Sequence, residues 1–235
     1  MTVSTSRDPA RIAGMFDAIA HRYDRLNHLL SAGLDRRWRR KGVQALQLSG
    51  RERVLDVCTG TGDLAMEAAS AARDVIGIDF AGEMLHLGLQ KVRRAGLESK
   101  IRLARGDAMN LPLPDASVDA AMVAFGIRNV VDPPAALREM ARVLRPGGRL
   151  LILEFGFPKV PGIRALYKAY FRHVLPRVGR AVSKHGEAYS YLPASVADFA
   201  SDAAVVRMIE AAGYTSVTSV SMTLGVVYRY VGVRA

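Results

Sequence analysis

The chain has 235 residues, of which 50% are hydrophobic and 23% charged, so it can form one large domain with a sizeable core and is too hydrophobic for a disordered protein. No apolar run approaches the roughly 18 residues that a membrane-spanning helix needs, and one cysteine excludes an internal disulfide. Since the N-terminus also lacks the hydrophobic stretch of a secretion signal, the sequence predicts a cytoplasmic protein.

The net charge of +11 lies in two segments. Residues 1–51 hold ten Arg or Lys against four Asp, residues 159–186 hold seven basic residues and no acidic one, and the remainder carries −2. This distribution predicts an anionic ligand or surface, either nucleic acid or a membrane face, unless the segments are simply solvated. We interpret the chain as a single domain over residues 1–235, with an N-terminal helical arm (1–51) and an inserted helical lid (159–193).

From residue 53, short apolar runs alternate with helical patterns, which predicts βαβ units and a parallel, doubly wound sheet. The predicted strands are Val54–Cys58, Asp74–Asp79, Ile101–Ala104, Val118–Phe125, Arg149–Glu154 after the turn Arg145–Gly148, Ser216–Met222 and Gly225–Val233. The predicted helices are Asp63–Ala72, Gly82–Ala95, Pro133–Leu144 and Ser195–Ala212. A glycine between the last two strands predicts an antiparallel hairpin at the sheet edge.

The first strand leads into the glycine turn Gly60–Gly62, and the second ends in Asp79. Glycines there let a ligand approach the backbone, and a carboxylate after the second strand can accept hydrogen bonds from both hydroxyls of a ribose. This pattern fits a nicotinamide dinucleotide as well as S-adenosylmethionine (SAM). Asp56 would repel a pyrophosphate and attract a methionyl amine, and Asp63 lies at the helix N-terminus that a pyrophosphate needs. The sequence therefore favours SAM.

Three later pieces strengthen this interpretation: Gly106–Ala108 after the third strand, Asp115–Asp119 before the fourth and Arg142–Gly148 before the fifth. Their order resembles the class I SAM-dependent methyltransferases. That resemblance implies an α/β, Rossmann-like, seven-stranded and mostly parallel sheet with an antiparallel last strand and helices on both faces. The residues that we expect to contact SAM are Asp56, Gly60, Thr61, Gly62, Asp79, Asp107, Ala108 and Ala124.

A narrower resemblance extends from about residue 11 to residue 233. The segments concerned are Phe16–Asn27, Leu30–Trp38, Ala124–Val130, Arg142–Glu154, His173–Gly179, Tyr189–Ser195 and Leu224–Val227. In this order they are similar to the ubiquinone/menaquinone biosynthesis C-methyltransferases. The chain departs from that family at Gly156 and Ala124, where serine is usual, so a hydroxyl contact to SAM from position 124 is absent.

The resemblance implies methyl transfer from SAM to a ring carbon of a prenylated hydroquinone, either demethylmenaquinol or a ubiquinol precursor. A cation beside the ring hydroxyl would favour the phenolate and so activate the carbon. Our hypothesis is that Arg128 stabilises this phenolate, that Asn129 orients it and that Tyr191 lines the quinol pocket. We expect no metal, because the histidines and the single cysteine show no ligand spacing.

The prenyl tail of such a substrate lies in a bilayer, which this chain must reach from the surface. Basic and apolar residues mix in 159–186, and Trp38 is flanked by cations in Asp35–Lys41. Both segments suit the interface of an anionic membrane at its inner face. A solvated lid over the pocket is the alternative, and a homodimer is left open.

Other function classes compete with this one. The chain could methylate a different small phenol or a lipid, because spacing alone does not define the substrate pocket. A NAD-dependent oxidoreductase fits the glycine turn and Asp79, but the acids beside that turn disfavour it. A nucleic-acid binder or RNA methyltransferase rests on charge alone, and no RNA-binding module is recognisable, so we expect no nucleic acid.

Overall fold

The computed structural model describes residues 7–174, 177 and 186–235. Its seven strands are β1 (Arg53–Val57), β2 (Asp74–Asp79), β3 (Ile101–Arg105), β4 (Val118–Ala124), β5 (Leu144–Phe155), β6 (Tyr214–Met222) and β7 (Val227–Arg234). They form one sheet in the order β3-β2-β1-β4-β5-β7-β6. Strand β7 is antiparallel to both β5 and β6, and the other neighbouring pairs are parallel. The predicted fold class and the antiparallel edge hairpin are confirmed.

Helices cover both faces of this sheet. They are α1 (Pro9–Leu30), α2 (Leu34–Ala45), α3 (Asp63–Ala69), α4 (Gly82–Arg94), α5 (Pro133–Val143), α6 (Pro161–Ala169), α7 (Gly186–Asp198) and α8 (Asp202–Ala211). Two of them, α1 and α5, begin with an aspartate before a proline, which favours the start of a helix. Asp8 accepts a hydrogen bond from the Arg11 backbone at 2.8 Å, and Asp132 accepts one from Ala135 at 3.0 Å.

The apolar runs of the sequence form the centre of the sheet because they are covered from both sides. Val54, Leu55 and Val57 of β1 are fully buried. One face packs against α5 and α8, and the other against α2 and α3. With helices on both faces, the ligand-binding edge is where β1, β2, β4 and β5 end.

Two details of the prediction are wrong. The single helix expected over Ser195–Ala212 is two helices, because the first ends at Asp198 and Ser201, which precedes α8, has an extended ψ of 157°. The turn Arg145–Gly148 is the first part of β5, where the pairing with β4 shifts register between Val118 and Ala120.

The predicted lid is described only in part, as α6 and a π-helical segment over Tyr170–Val174 before residue 175, and as α7 from residue 186. Most of residues 175–185 lie outside the described residues. Among the described helices, none is long and apolar enough to cross a membrane.

Candidate active site

Two cavities meet at the carboxyl edge of the sheet. The larger, of about 350 Å³, lies over the ends of β1, β2 and β4 and is called the sheet-edge cavity. The smaller, of about 120 Å³, lies between the arm and the ends of β4 and β5 and is called the arm cavity. Phe16, Tyr23 and Phe125 line both. A ligand in one cavity is therefore adjacent to a ligand in the other.

The glycine turn and Asp79 form one hydrogen-bonded unit on the wall of the sheet-edge cavity. The Gly60 backbone N–H donates to Asp79 Oδ2 at 2.7 Å, and the Ala81 N–H donates to Oδ1 at 2.9 Å. Each carboxylate oxygen can accept a further bond, so Asp79 keeps the capacity to bind two ribose hydroxyls. Gly60 has a left-handed φ of +56°, which favours glycine.

Three more predicted SAM contacts line the same cavity: Asp107, Ala108 and Ala124. Asp107 is fixed by its own loop, since Oδ1 accepts the Met109 N–H at 2.8 Å. The rest of the wall is largely apolar, and its members include Phe80, Met84, Met109 and Val130. Polar groups on one side and an apolar wall on the other fit a nucleoside such as the adenosine of SAM.

Asp56, Thr61 and Gly62 do not line the sheet-edge cavity, and their contacts with SAM stay predictions. Asp56 lies beneath the turn, 1% exposed, and accepts the hydroxyl of Thr59 at 2.6 Å. The Thr61 side chain faces the arm, where its hydroxyl donates to Asp24 at 2.6 Å. These side chains support the turn and do not reach into the cavity.

We expect Asp56 to make the stability of the protein depend on pH. Burial raises the pKa of Asp56 to about 7, whereas an unfolded chain has a value of about 4. The folded state thus binds this proton more tightly than the unfolded chain does. The stabilisation by protonated Asp56 is complete below pH ~4. As the pH rises to ~7, the free energy of unfolding falls by up to about 1.4 kcal/mol per pH unit. Urea unfolding at several pH values should show a flatter dependence for Asp56→Asn, and equal slopes for the two proteins would contradict the prediction.

Two residues with side chains adopt left-handed backbone conformations beside the cavities. Cys58 has a φ of +54° and Phe125 a φ of +59°, which costs of order 1–3 kcal/mol each. Gly126 permits the arrangement, because a Cβ there would lie 2.4 Å from that of Cys58. Burial also raises the pKa of the Cys58 thiol well above its usual value, so Cys58 fits a packed side chain better than a nucleophile.

The arm cavity is lined mainly by apolar and aromatic side chains of the arm, the end of β5, α6 with the π-helical segment after it, and α7. They include Ile19, Leu30, Trp38, Phe155, Tyr167, Tyr170 and Leu192. Trp38 is 3% exposed and donates from Nε1 to Thr223 Oγ1 at 2.8 Å. The expectation that Trp38 lies at a membrane interface is therefore wrong, because it packs between Phe125 and Phe155.

Arg128 lines the arm cavity and is held from several sides. Its Nη1 lies 2.8 Å from Glu154 Oε1 and also donates to the carbonyl of Phe125, and its Nε donates to Ser195 Oγ at 3.3 Å. The two charged side chains are 6% and 1% exposed. Arg128 is thus a buried, paired cation rather than a free one.

Asn129 and Tyr191 connect the two cavities. Asn129 lines the sheet-edge cavity, Tyr191 lines the arm cavity, and the Tyr191 hydroxyl donates to Asn129 Oδ1 at 3.1 Å. All three predicted catalytic residues therefore lie around the junction of the cavities.

Tyr23 and Arg39 also lie in the site. As a tyrosine of the Phe16–Asn27 segment, Tyr23 was a candidate for the quinol pocket, whereas no role was predicted for Arg39. Tyr23 lies at the junction, where burial raises the pKa of its hydroxyl while Arg128 and Arg39 oppose that rise. Arg39 lines the arm cavity and is 9% exposed. The sequence indicated Tyr23 through its position in the Phe16–Asn27 segment. It did not indicate Arg39, because a basic run such as Arg36–Lys41 does not show which cation points inward.

Within the described residues, His28, Asp35 and Asp63 place possible metal-ligating atoms within 4.8 Å of one another. Arg39 is ion-paired with Asp35, and its Nη2 lies 3.6 Å from Asp63 Oδ2. A guanidinium already supplies the positive charge there, so the group fits an ion-pair cluster. The absence of a metal stays a prediction.

Comparison with known proteins places these cavities in context. A model of the ubiE/COQ5 methyltransferase family matches residues 3–234. The ubiquinone/menaquinone biosynthesis C-methyltransferase UbiE of Geobacter sp. (strain M21) is 47% identical over 227 residues, which cover 95% of this chain and 96% of that one. The demethylmenaquinone methyltransferase of Thermus thermophilus is 46% identical over 223 residues, covering 94% and 100%.

Solved structures share the fold at low sequence identity. A SAM-dependent methyltransferase from Aquifex aeolicus superposes with a TM-score of 0.61 at 22% identity, covering 84% of this chain and 89% of that one. The [4+2]-cyclase SpnF superposes with a TM-score of 0.65, also at 22% identity, covering 89% and 74%. Because that neighbour is a cyclase, the fold alone does not define the reaction.

Proposed function

The chain belongs to the ubiE/COQ5 methyltransferase family, and on this premise we propose that it transfers the methyl group of SAM to a ring carbon of a prenylated hydroquinone in quinone biosynthesis. The observation that supports this most directly is the pair of adjoining cavities, one with the carboxylate of Asp79 in its wall and one lined by aromatic side chains. The family sets aside the oxidoreductase as an alternative, and the absence of a nucleic-acid partner stays a prediction.

We propose that Asp79 and Gly60 hold the ribose of SAM and that Asp107 accepts a hydrogen bond from its adenine. When bound, SAM supplies a methyl group that is already activated by a sulfonium. The chain must then place the acceptor carbon in line with that methyl group, and such alignment can contribute on the order of 7–11 kcal/mol.

The quinol ring is proposed to lie in the arm cavity beside Tyr23. Loss of the ring hydroxyl proton to solvent raises electron density on the neighbouring carbon. That carbon forms the new C–C bond as the methyl–sulfur bond of SAM breaks and S-adenosylhomocysteine leaves, and loss of the carbon's own proton to solvent then restores the aromatic ring. Burial raises the pKa of the Tyr23 hydroxyl at the junction, while the guanidinium groups of Arg128 and Arg39 oppose that rise. A quinol hydroxyl nearby would experience the same two cations, which offset part of the cost that burial adds to its ionisation.

The role proposed for Arg128 is electrostatic, because an arginine does not readily release a proton. Asn129 is held by the Tyr191 hydroxyl. Its remaining amide groups are suited to orient the ring oxygen while Arg128 stabilises the charge on it.

The test is to incubate the purified protein with methyl-labelled SAM and a short-prenyl demethylmenaquinone, either chemically reduced or oxidised. Label in the ring of the reduced form alone is the expected result. Absence of label from both forms, with SAM binding intact, would contradict the substrate and direct attention to other phenols.

We also propose that α6 contacts an anionic membrane. Tyr167 is buried, whereas Leu166 is 73% exposed and Val160 53% exposed, beside the exposed Arg164 and Lys168. Exposed apolar side chains among cations fit a lipid surface with negative headgroups.

Leu166→Asp should reduce co-sedimentation with phosphatidylglycerol vesicles at low salt and leave activity on a short-prenyl quinol unchanged, because it alters only the exposed face of α6. Leu89→Asp on α4, where Leu89 is 38% exposed, serves as the matched control. Wild-type protein that does not sediment, or that sediments equally at high salt, would contradict membrane contact.

A further inference from the structure

Five side chains join the N-terminal arm to the glycine turn, and we call them the arm cluster: Asp24, Arg39, Thr61, Asp63 and Lys91. Of these, only Arg39 also lines a cavity, the arm cavity. Lys91 Nζ lies 2.7 Å from Asp24 Oδ2 and 3.1 Å from Thr61 Oγ1, and it also pairs with Asp63. The cluster thereby connects α1, α2, the glycine turn with the start of α3, and α4.

The arm cluster is shielded from solvent. The side chains of Lys91, Asp24 and Asp63 are 25%, 25% and 22% exposed, and that of Arg39 is 10% exposed. Although burial opposes ionisation, Arg39 and Lys91 hold the pKa of Asp63 below its usual value. Charges in this environment are screened less by salt than surface pairs are. The arm cluster can therefore hold the arm and the glycine turn in a fixed relative position.

The conformation of the glycine turn is fixed by hydrogen bonds to the sheet and to the arm. Gly60 and Gly62 both have left-handed φ values, +56° and +81°, and glycine is conformationally permissive. Within the sheet the turn is held by the bond from Gly60 to Asp79. The Thr61 side chain adds a bond from the opposite direction, to Asp24 of the arm.

The same arm forms part of the wall of the sheet-edge cavity. Ile12, Ala13 and Phe16 of α1 line that cavity. Asp17 of α1 accepts the backbone N–H of Glu83, at the start of α4, at 2.9 Å. A displacement of α1 would therefore change the cavity wall and release Thr61 at the same time.

We propose that Asp24 and Lys91 are positioning residues that couple the docking of the arm to the binding of SAM. The docked arm holds the glycine turn in the conformation that presents the Gly60 N–H to Asp79, and a ligand in the sheet-edge cavity in turn stabilises the docked arm. Such coupling is reciprocal by thermodynamic necessity. The proposal rests on the proposed function only in taking SAM as the ligand.

The first measurement is the affinity for S-adenosylhomocysteine by calorimetry. Asp24→Asn and Lys91→Met should each weaken binding by about tenfold, which lies within the usual range of coupling between sites. Lys91→Arg keeps the charge and should restore most of the affinity. The KM for SAM should rise, while kcat at saturating SAM should change much less. Asp115→Asn, which alters an ion pair with Arg142 at a side chain that is 77% exposed, is the control.

The second measurement is amide hydrogen exchange of α1 with and without S-adenosylhomocysteine. In the wild type the ligand should slow exchange in α1, and in Asp24→Asn this effect should be lost. Unchanged affinity in both variants, or no effect of the ligand on α1 of the wild type, would overturn the proposal. Failure of the wild type to bind S-adenosylhomocysteine would instead contradict the cofactor itself, so the two failures are distinguishable.

Discussion

Replacing Arg128 with methionine should lower the free energy of unfolding by about 3–5 kcal/mol, the usual cost of breaking a buried ion pair. Glu154 is 1% exposed and has its Oε1 2.8 Å from Arg128 Nη1. Without the guanidinium, this carboxylate would remain buried beside the Phe155 N–H as its other close partner, at 2.8 Å. Urea unfolding at neutral pH measures the change.

The double variant Arg128→Met with Glu154→Gln separates stability from catalysis. A neutral amide no longer needs a cation, so most of the lost stability should return. If Arg128 stabilises the phenolate, kcat of the double variant should remain roughly 100-fold or more below wild type, which is the scale for loss of one preorganised electrostatic contact. The affinity for S-adenosylhomocysteine should stay near wild type.

Two results would contradict this account of Arg128. Equal destabilisation in the single and double variants would show that Glu154 is not the group left uncompensated. Recovery of kcat in the double variant would assign Arg128 a structural role alone, as a clamp between β4, β5 and α7.

The sheet-edge cavity was largely predictable because of one geometric rule. Parallel strands that end at the same edge bring their last and following residues together, so the residues at or just after the ends of β1, β2, β3 and β4 identify a shared cavity. Gly60, Asp79, Asp107 and Ala124 follow from this rule without any knowledge of side-chain packing. The direction of a side chain on a tight turn does not, which is why Thr61 faces the arm.

The arm cavity was less predictable because helices outside the sheet form most of it. Tyr23 and Arg39 reach the ends of β4 and β5 through packing of α1 and α2, and no spacing in the sequence encodes that distance. Trp38 illustrates the difficulty: a tryptophan among four arginines and a lysine suggests a surface, yet it is 3% exposed. Trp38 and Arg39 are buried between exposed cations, and the same sequence is compatible with a tryptophan at the surface.

Replacing Asp79 with asparagine should weaken binding of S-adenosylhomocysteine by about 100-fold. Hydrogen bonds to a charged group contribute roughly 1.5–3 kcal/mol, and about 1.4 kcal/mol corresponds to a factor of ten, so loss of two ribose bonds gives at least this effect. The amide NH₂ must also face either the Gly60 or the Ala81 N–H, donor against donor, where the carboxylate accepts both. The glycine turn then loses its fixed point in the sheet, and calorimetry measures the combined loss.

The pH dependence of the affinity for S-adenosylhomocysteine tests the role of Asp79 independently. Burial raises the pKa of Asp79 above its usual value, so the carboxylate should begin to protonate at a higher pH than an exposed aspartate as the solution is acidified. Protonation replaces an acceptor with a donor, so affinity of the wild type should fall with decreasing pH while that of Asp79→Asn stays flat. Asp107→Asn, in the same cavity, should lose only about tenfold because one weaker bond is affected. A similar loss in both variants, or an affinity of Asp79→Asn within a few-fold of wild type, would mean that the ribose is held elsewhere.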